Sequence, residues 1–420
     1  MKIWAFVAVI VVAFQVVPVR TSIAENWGHW RGPTGNGSSL TAKPPVIFGP
    51  GKNEKWKVEI PGVGSASPVV WGERVFVSTA VPTGKRTNEY AFQLLCFNRK
   101  DGTRLWEQSP VVTIPHEGSH QTNGFASASP CTDGEFVYAH FGSRGLYCYT
   151  MEGKPVWNHD FGDMRIRNSF GEGSSPTLVD DLIIVPWDHE GASALYALNK
   201  KTGAIQWQTP REEPSCWATP LIAVDAAGSK QIIMNGQNAA RGYDLKSGKE
   251  LWHCGGQTER PCASAVAADG VAYVGSGYRG SYIGAFSLAG RGDLAGSKDV
   301  LWTHKQDTPD VASPLLSQGR VYYYKAKSGQ LTCVDAKSGK VHFAAARIPG
   351  MNSTYASPIA ATGHIYLTDR DGTIVVIEDS DKLKIVSTNK IGEGVDATPA
   401  VAGNELFVRS AKHLFCFEAK

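Results

Sequence analysis

Between Ser174 and Trp207 the chain reads SSPTLVDDLIIVPWDHEGASALYALNKKTGAIQW. A Ser-Pro start leads into an apolar run. A second apolar run ends in Leu-Tyr-Ala-Leu-Asn, and a Thr-Gly turn is followed by a tryptophan. Short apolar runs bounded by turn residues read as strands, so about 35 residues hold four strand signals. The same order recurs along nearly the whole chain. Its starts fall at Pro68, Pro130, Pro176, Pro220, Ala265, Pro314, Pro358 and Pro399, spaced by 62, 46, 44, 45, 49, 44 and 41 residues. Four-stranded units at spacings in the forties predict the blades of a propeller.

Two irregularities complete each other. The eighth unit stops after its third strand, at LFCFEA, and EKWKVEI at Glu54–Ile60 alternates like a fourth strand with no unit before it. Pairing the two would close the ring and leave no open seam between first and last blades. The expected fold is therefore all-β: a single eight-bladed β-propeller over residues 54–420, closed by an N-terminal strand on the C-terminal blade. Residues 25–53 form an irregular arm, expected to dock through Trp27 and Trp30 because exposing two indoles is unfavourable.

The repeat absorbs most of the conspicuous residues. One third-strand position is held in turn by Cys96, Cys148, Ala197, Gly242, Ala285, Cys333, Val376 and Cys416. Such a site calls for a small buried group, and a free cysteine behaves as one. The unit ends at Trp56, Trp106, Trp157, Trp207, Trp252, Trp302, Phe343 and Ile385. A large flat side chain recurring there is expected to wedge between neighbouring blades. The Ser-Pro starts read as devices that open a strand, where proline is tolerated. Cys254 and Cys262 lie eight residues apart across an inter-blade connection, where an oxidising compartment permits a disulfide. Cys131 and Cys216 are left without a role.

Composition adds the compartment. Residues 1–24 carry Lys2, an apolar run from Ile3 to Val17, and Ser22 and Ala24 at the spacing of a cleavage site. This reads as a secretory signal peptide, too short for a bilayer span. The expected location is the periplasm or the exterior, without stable membrane insertion once the signal is cleaved. The net charge is +3, with acids and bases interspersed. No nucleic-acid footprint is indicated. The protein is expected to act as a monomer.

The segments LYALNKKTGAIQW, YDLKSGKELW, CFNRKDGTRLW and CVDAKSGKVHF resemble the pyrroloquinoline-quinone-type (PQQ-like) propeller repeat. The resemblance covers Glu54 to Lys420. It implies the fold and leaves function open, because the repeat serves both quinoprotein dehydrogenases and non-catalytic propellers. The latter include the scaffold lipoprotein of the outer-membrane barrel assembly machinery and secreted bacterial propellers with a similar arm. The enzymes need a cation on the quinone, held by carboxylate and amide oxygens, and a carboxylate base. They typically carry adjacent bonded cysteines. This chain has no Cys-Cys pair and no C-x-x-C-H haem signature.

Candidate chemistry then lies in the segments before each first strand, which are expected to line the channel mouth. They offer His120, Asn123, Arg165, Arg167, Glu172, Trp217 and Tyr355, with Arg165 or Arg167 binding an anion and Trp217 or Tyr355 as a stacking wall. Asp188, His189 and Glu190 form an acid–His–acid run. Strand neighbours point to opposite faces, so the run holds one metal only from a loop. The reading is an exported, non-catalytic binding or scaffold module for a protein, peptide or small polar ligand. No cofactor is expected. The alternative is an oxidoreductase on alcohols or sugars using PQQ with calcium.

Overall fold

The computed structural model describes residues 26–419, so the signal-peptide reading lies outside the described residues. Eight antiparallel four-stranded sheets follow one another around a ring, two of them extended by a fifth short strand. The first strands of successive blades contact one another and form the inner wall. No described helix is long and apolar enough to cross a membrane.

The ring closes as its two incomplete ends require. Glu54–Glu59 pairs antiparallel with His413–Glu418, placing Trp56 opposite Cys416. Blade 8 thus takes its outer strand from the N-terminal side of the chain and its other three from the end.

Register explains the recurrent small residue. Cys96 faces Trp106, Cys148 faces Trp157, Ala197 faces Trp207, Gly242 faces Trp252, Ala285 faces Trp302 and Cys333 faces Phe343. On its other side the same residue often faces a second-strand ring, as Phe76, Tyr138, Tyr273, Tyr322 and Phe407 do. The two rings meet over it: Tyr138 and Trp157 have centroids 5.8 Å apart, and Phe76 and Trp106 also 5.8 Å. A larger side chain would push them apart. At Gly242 even a Cβ would lie 2.1 Å from Trp252 Nε1.

Each indole also locks the next blade. Trp56 donates to Arg99 O, Trp106 to Met151 O, Trp157 to Lys200 O, Trp207 to Leu245 O and Trp302 to Ala336 O, at 2.9–3.1 Å. The turn glycine of the following blade lies under the ring, so Gly102, Gly153, Gly203, Gly248 and Gly339 leave no room for a Cβ against it. Blade 4 departs from this scheme. Trp252 donates to Gln231 Oε1, and Gln231 Nε2 relays the bond to Leu288 O in blade 5. The insertion before Trp302 supplies Gly292–Asp293, which pairs in parallel with the outer strand of blade 4 and covers its edge.

Blade 7 corrects the sequence alignment. Val376 faces Ser387, while Ile385 faces Ile377 across a bulge, so Ile385 is not the wedge. The Ser387 hydroxyl donates to Val46 O in the arm, and the arm's Phe48 lies 6.3 Å from Tyr366 and 5.1 Å from Phe417. An aromatic ring from the arm fills the seam between blades 7 and 8.

The cysteines are free, including Cys254 and Cys262. The disulfide that the spacing permits is not formed in this structure. Cys254 sits in the core of blades 4 and 5, while Cys262 faces the central channel beside Arg260, so the two thiols belong to different environments.

Candidate functional site

The site begins with the arm. Trp27 is fully buried and pairs its backbone with Val70 of blade 1. Gly28 O accepts from Thr132 N in blade 2, and His29 Nε2 lies 3.1 Å from Thr177 Oγ1 in blade 3. Gly35 abuts Leu221 of blade 4. Asn36 exchanges two bonds with Ala267 of blade 5, at 2.8 and 2.9 Å. Arg31 donates to Pro314 O and Pro358 O, at the starts of blades 6 and 7, and Lys43 N bonds Gly403 O in blade 8. The arm thus reaches the inner strands of every blade and closes one end of the channel. The channel becomes a funnel with Trp30 in its wall and a volume of about 350 Å³.

The residue before each blade start, proline in seven units and Ala265 in the fifth, builds a hydrogen-bonded ring around this funnel. Ser67 N donates to Ser129 Oγ, Ser129 N to Ser175 Oγ, and Ser175 N to Thr219 Oγ1. Thr219 N continues to Ser264 Oγ, Ser264 N to Ser313 Oγ, Ser313 N to Ser357 Oγ, and Ser357 N to Thr398 Oγ1. All seven links measure 2.8–3.0 Å. At the closing seam Ser67 Oγ has no partner, and the buried Arg409 instead donates to Ala66 O and Ser78 O. The Ser and Thr types recur because a short hydroxyl there satisfies the N–H of the preceding blade. Sequence reading assigned the motif to its proline and missed the hydroxyl, although Ser or Thr in all eight units was the available signal.

Above the ring lie the funnel walls. His120, Asn123, Trp217 and Tyr355 line it, joined by Trp30, Thr122, Phe170, Arg260, Cys262, Tyr278, Lys327 and Asp396. The loop carrying His120 leans across the mouth: Asn123 Nδ2 donates to Phe170 O, and Thr122 Oγ1 meets Tyr355 Oη at 3.2 Å. Trp217 is fixed by its Nε1 bond to Gly171 O at 2.7 Å and its backbone bond to Pro261 O.

Three sequence candidates lie elsewhere. Arg165 donates to Glu190 O on an exposed loop, and Arg167 reaches Gln237 and Glu259 at 3.3 and 3.2 Å. Neither lines the funnel, because the blade-3 approach turns both toward the next loop rather than inward. Glu172 is buried behind the wall and accepts from Ser143 N and Oγ. Burial raises its pKa, opposed by the Ser143 bonds. Asp188, His189 and Glu190 diverge to three partners. Asp188 holds a buried bidentate pair with Arg211 at 2.8 and 3.0 Å, His189 Nδ1 accepts from Arg165 N, and Glu190 accepts from Ser215. No cluster able to hold a metal occurs among the described residues.

The cations of the funnel were missed. Arg260 stacks on Tyr278 at 3.5 Å and donates to Asp310 at 3.2 Å, while Lys327 lies 3.7 Å from the same carboxylate. Arg260 has φ 43°, a left-handed conformation that costs about 1–3 kcal/mol outside glycine. Arg370 lies 4.0 Å over Tyr355 and grips Asp396 at 2.6 and 3.0 Å.

The cofactor implied by the enzymatic branch of the fold does not fit this donor set. Calcium needs several free oxygens. Asp396 is the acid in the funnel wall and is held by Arg370, and Asn123 Oδ1 already accepts from Gly124 N and Ser127 Oγ.

These features define an eight-bladed propeller of the PQQ-like repeat class, with an arm-plugged funnel. The family model described as outer membrane protein assembly factor BamB matches residues 91–345 and 281–385, and the chain belongs to that family. Among solved structures it resembles BamB from Moraxella catarrhalis, with 13% identity and a TM-score of 0.57 over 86% of this chain and 98% of that one. It also resembles quinohemoprotein alcohol dehydrogenase from Comamonas testosteroni, at 10% identity and TM-score 0.62 over 95% of this chain and 81% of that one. A europium-containing methanol dehydrogenase aligns at 10% identity and TM-score 0.55, over 94% and 98% of the two chains. Identities this low establish the fold alone. A search of curated protein sequences finds no match.

Proposed function

We propose that the protein is an exported, non-catalytic binding module whose funnel takes a small polar ligand. The observation that carries this reading is the funnel itself. One end is closed by the arm, its walls combine fixed aromatic rings with Arg260 and Lys327, and its acid is neutralised by Arg370. Such a site can hold and orient a ligand. Among the described residues its wall offers no carboxylate free of a cation to act as a base, which weighs against the dehydrogenase alternative.

The test is a thermal-shift and calorimetric screen of small acids, sugars and PQQ with calcium, on the mature chain. A ligand that stabilises the wild type, and no longer does so in Trp217→Ala or Tyr355→Ala, supports the reading. Dye-linked turnover with stoichiometric PQQ would replace it by the enzyme.

Family membership supports a second role, docking a protein partner in the envelope. Co-purification from the native envelope tests it, and a clean monomer there counts against it. Export is tested by N-terminal sequencing of the mature protein, expected to begin at Glu25.

A further inference from the structure

We propose that the funnel's ligand is an acidic sugar of the hexuronate class, its carboxylate held by Arg260 and Lys327 and its ring against an aromatic wall. This rests on the reading of the funnel as a ligand site. It goes further by assigning the ligand's charge and chemistry.

The charge follows from the pairing. Arg260 and Lys327 share one carboxylate, Asp310, whose Oδ1 is left without a partner, while Asp396 is occupied by Arg370. Behind the hydroxyl ring lie two buried arginines, Arg31 and Arg409. Among the described residues both bond only carbonyl oxygens: Asn36, Pro314 and Pro358 for Arg31, and Ala66 and Ser78 for Arg409. Each bonds a carbonyl one residue from a hydroxyl that lines the funnel: Arg31 at Pro358, beside Ser357, and Arg409 at Ala66, beside Ser67. Burial lowers both guanidiniums to about 9, so both stay charged at neutral pH. Uncompensated charge in a poorly screened interior acts over long distances and favours an anion in the adjoining cavity.

The hydroxyls and rings supply the rest. Ser129, Ser175, Thr219, Ser357 and Thr398 line the funnel, and each accepts a backbone N–H. Their O–H groups donate to no described protein acceptor, so they are free for a ligand rich in oxygen. Trp217, a partly exposed ring of the funnel wall, supplies apolar surface for the C–H side of a saturated ring. A volume of about 350 Å³ admits a monosaccharide. These hydroxyls, together with Arg260 and Lys327, suit a carboxylated sugar better than a neutral or cationic one.

The test is calorimetry on the mature chain with glucuronate and galacturonate, against glucose, galactose and 4-hydroxybenzoate. A uronate is expected to bind at least roughly tenfold tighter than its neutral sugar. Its affinity should weaken as salt rises from about 50 to about 500 mM. Lys327→Met, at a half-exposed position, and Arg260→Gln should each lower it by roughly tenfold, with an unchanged melting curve in Lys327→Met showing that the fold is intact. Equal binding of neutral sugar, lost in Trp217→Ala, overturns the anion inference and leaves the ligand site standing. Binding of 4-hydroxybenzoate alone overturns the sugar assignment. Failure of every compound overturns both readings.

Discussion

The outer seams and the inner funnel are made by the same eight units, yet they follow opposite rules. At the seams five blades share one solution: a small residue opposite an indole, whose N–H bonds the next blade's carbonyl over a turn glycine. In the funnel wall no two blades contribute alike. Blade 2 brings His120 and Asn123, blade 4 Trp217, blade 5 Arg260, blade 6 Lys327 and blade 7 Tyr355. Repetition marks what holds the ring together, and departure from it marks where chemistry can be placed. The hydroxyl ring lies between the two regimes, periodic in residue type and open to the funnel.

The comparison can be broken hardest at its closing seam. Deleting Glu54–Glu59 removes the outer strand of blade 8 and the Trp56 bond to blade 1. The expected result is aggregation, or loss of a single cooperative melting transition, seen by light scattering and calorimetry. An unchanged melt would refute closure by this strand.

Next in size is the small-residue position. Gly242→Val places atoms inside the Trp252 ring and should cost about 3 kcal/mol in urea unfolding. Ala197→Cys copies what four other blades already carry and should cost less than about 1.5 kcal/mol.

A pH effect rests on two histidines. Burial lowers His29 and His140 from 6.5 to about 4, with backbone hydrogen bonds opposing it, and Arg31 further depressing His29. Below about 6.5 the unfolded chain takes up protons that the folded chain refuses, so stability should fall steadily from about pH 6.5 to about pH 4. Denaturation series across that range measure it, and His140→Gln should flatten the slope.

The hydroxyl ring gives a smaller contrast. Ser175→Ala leaves Ser129 N–H buried without an acceptor and should cost about 1–3 kcal/mol. Ser67→Ala removes a hydroxyl that accepts nothing and should cost less. Equal losses in chemical denaturation would show that the ring does not act link by link. The smallest effect is expected at Arg165→Ala, below about 0.5 kcal/mol in stability and without change in funnel binding, because the side chain faces an exposed loop.

Blade count, closure and the seams were legible in the residues because a repeat states its own rule eight times. Where one unit broke the pattern, its neighbours still indicated what the position needed. That sufficed for Trp56, Cys96 and Gly203. It failed at Ile385, because a bulge shifts the register of blade 7 and the missing ring comes from Phe48, outside the repeat.

Four of the seven channel-mouth candidates line the funnel: His120, Asn123, Trp217 and Tyr355. Arg165, Arg167 and Glu172 do not, since loop direction is set by local hydrogen bonds that strand periodicity does not record. The Asp188 run was readable as titratable, but its dispersal among Arg211, Arg165 and Ser215 was not.

Strand order and blade packing follow from local patterning, because each depends on residues at short and regular separations, and ring closure follows from two complementary defects in that pattern at the ends of the propeller. The funnel depends on separations of hundreds of residues. Arg31 meets Pro314 and Pro358, Thr122 meets Tyr355, and Arg409 meets Ala66 only after the ring has closed. Which cations lack a carboxylate, and which hydroxyls face the cavity, are therefore properties of the assembled ring, decided by geometry that no single unit carries.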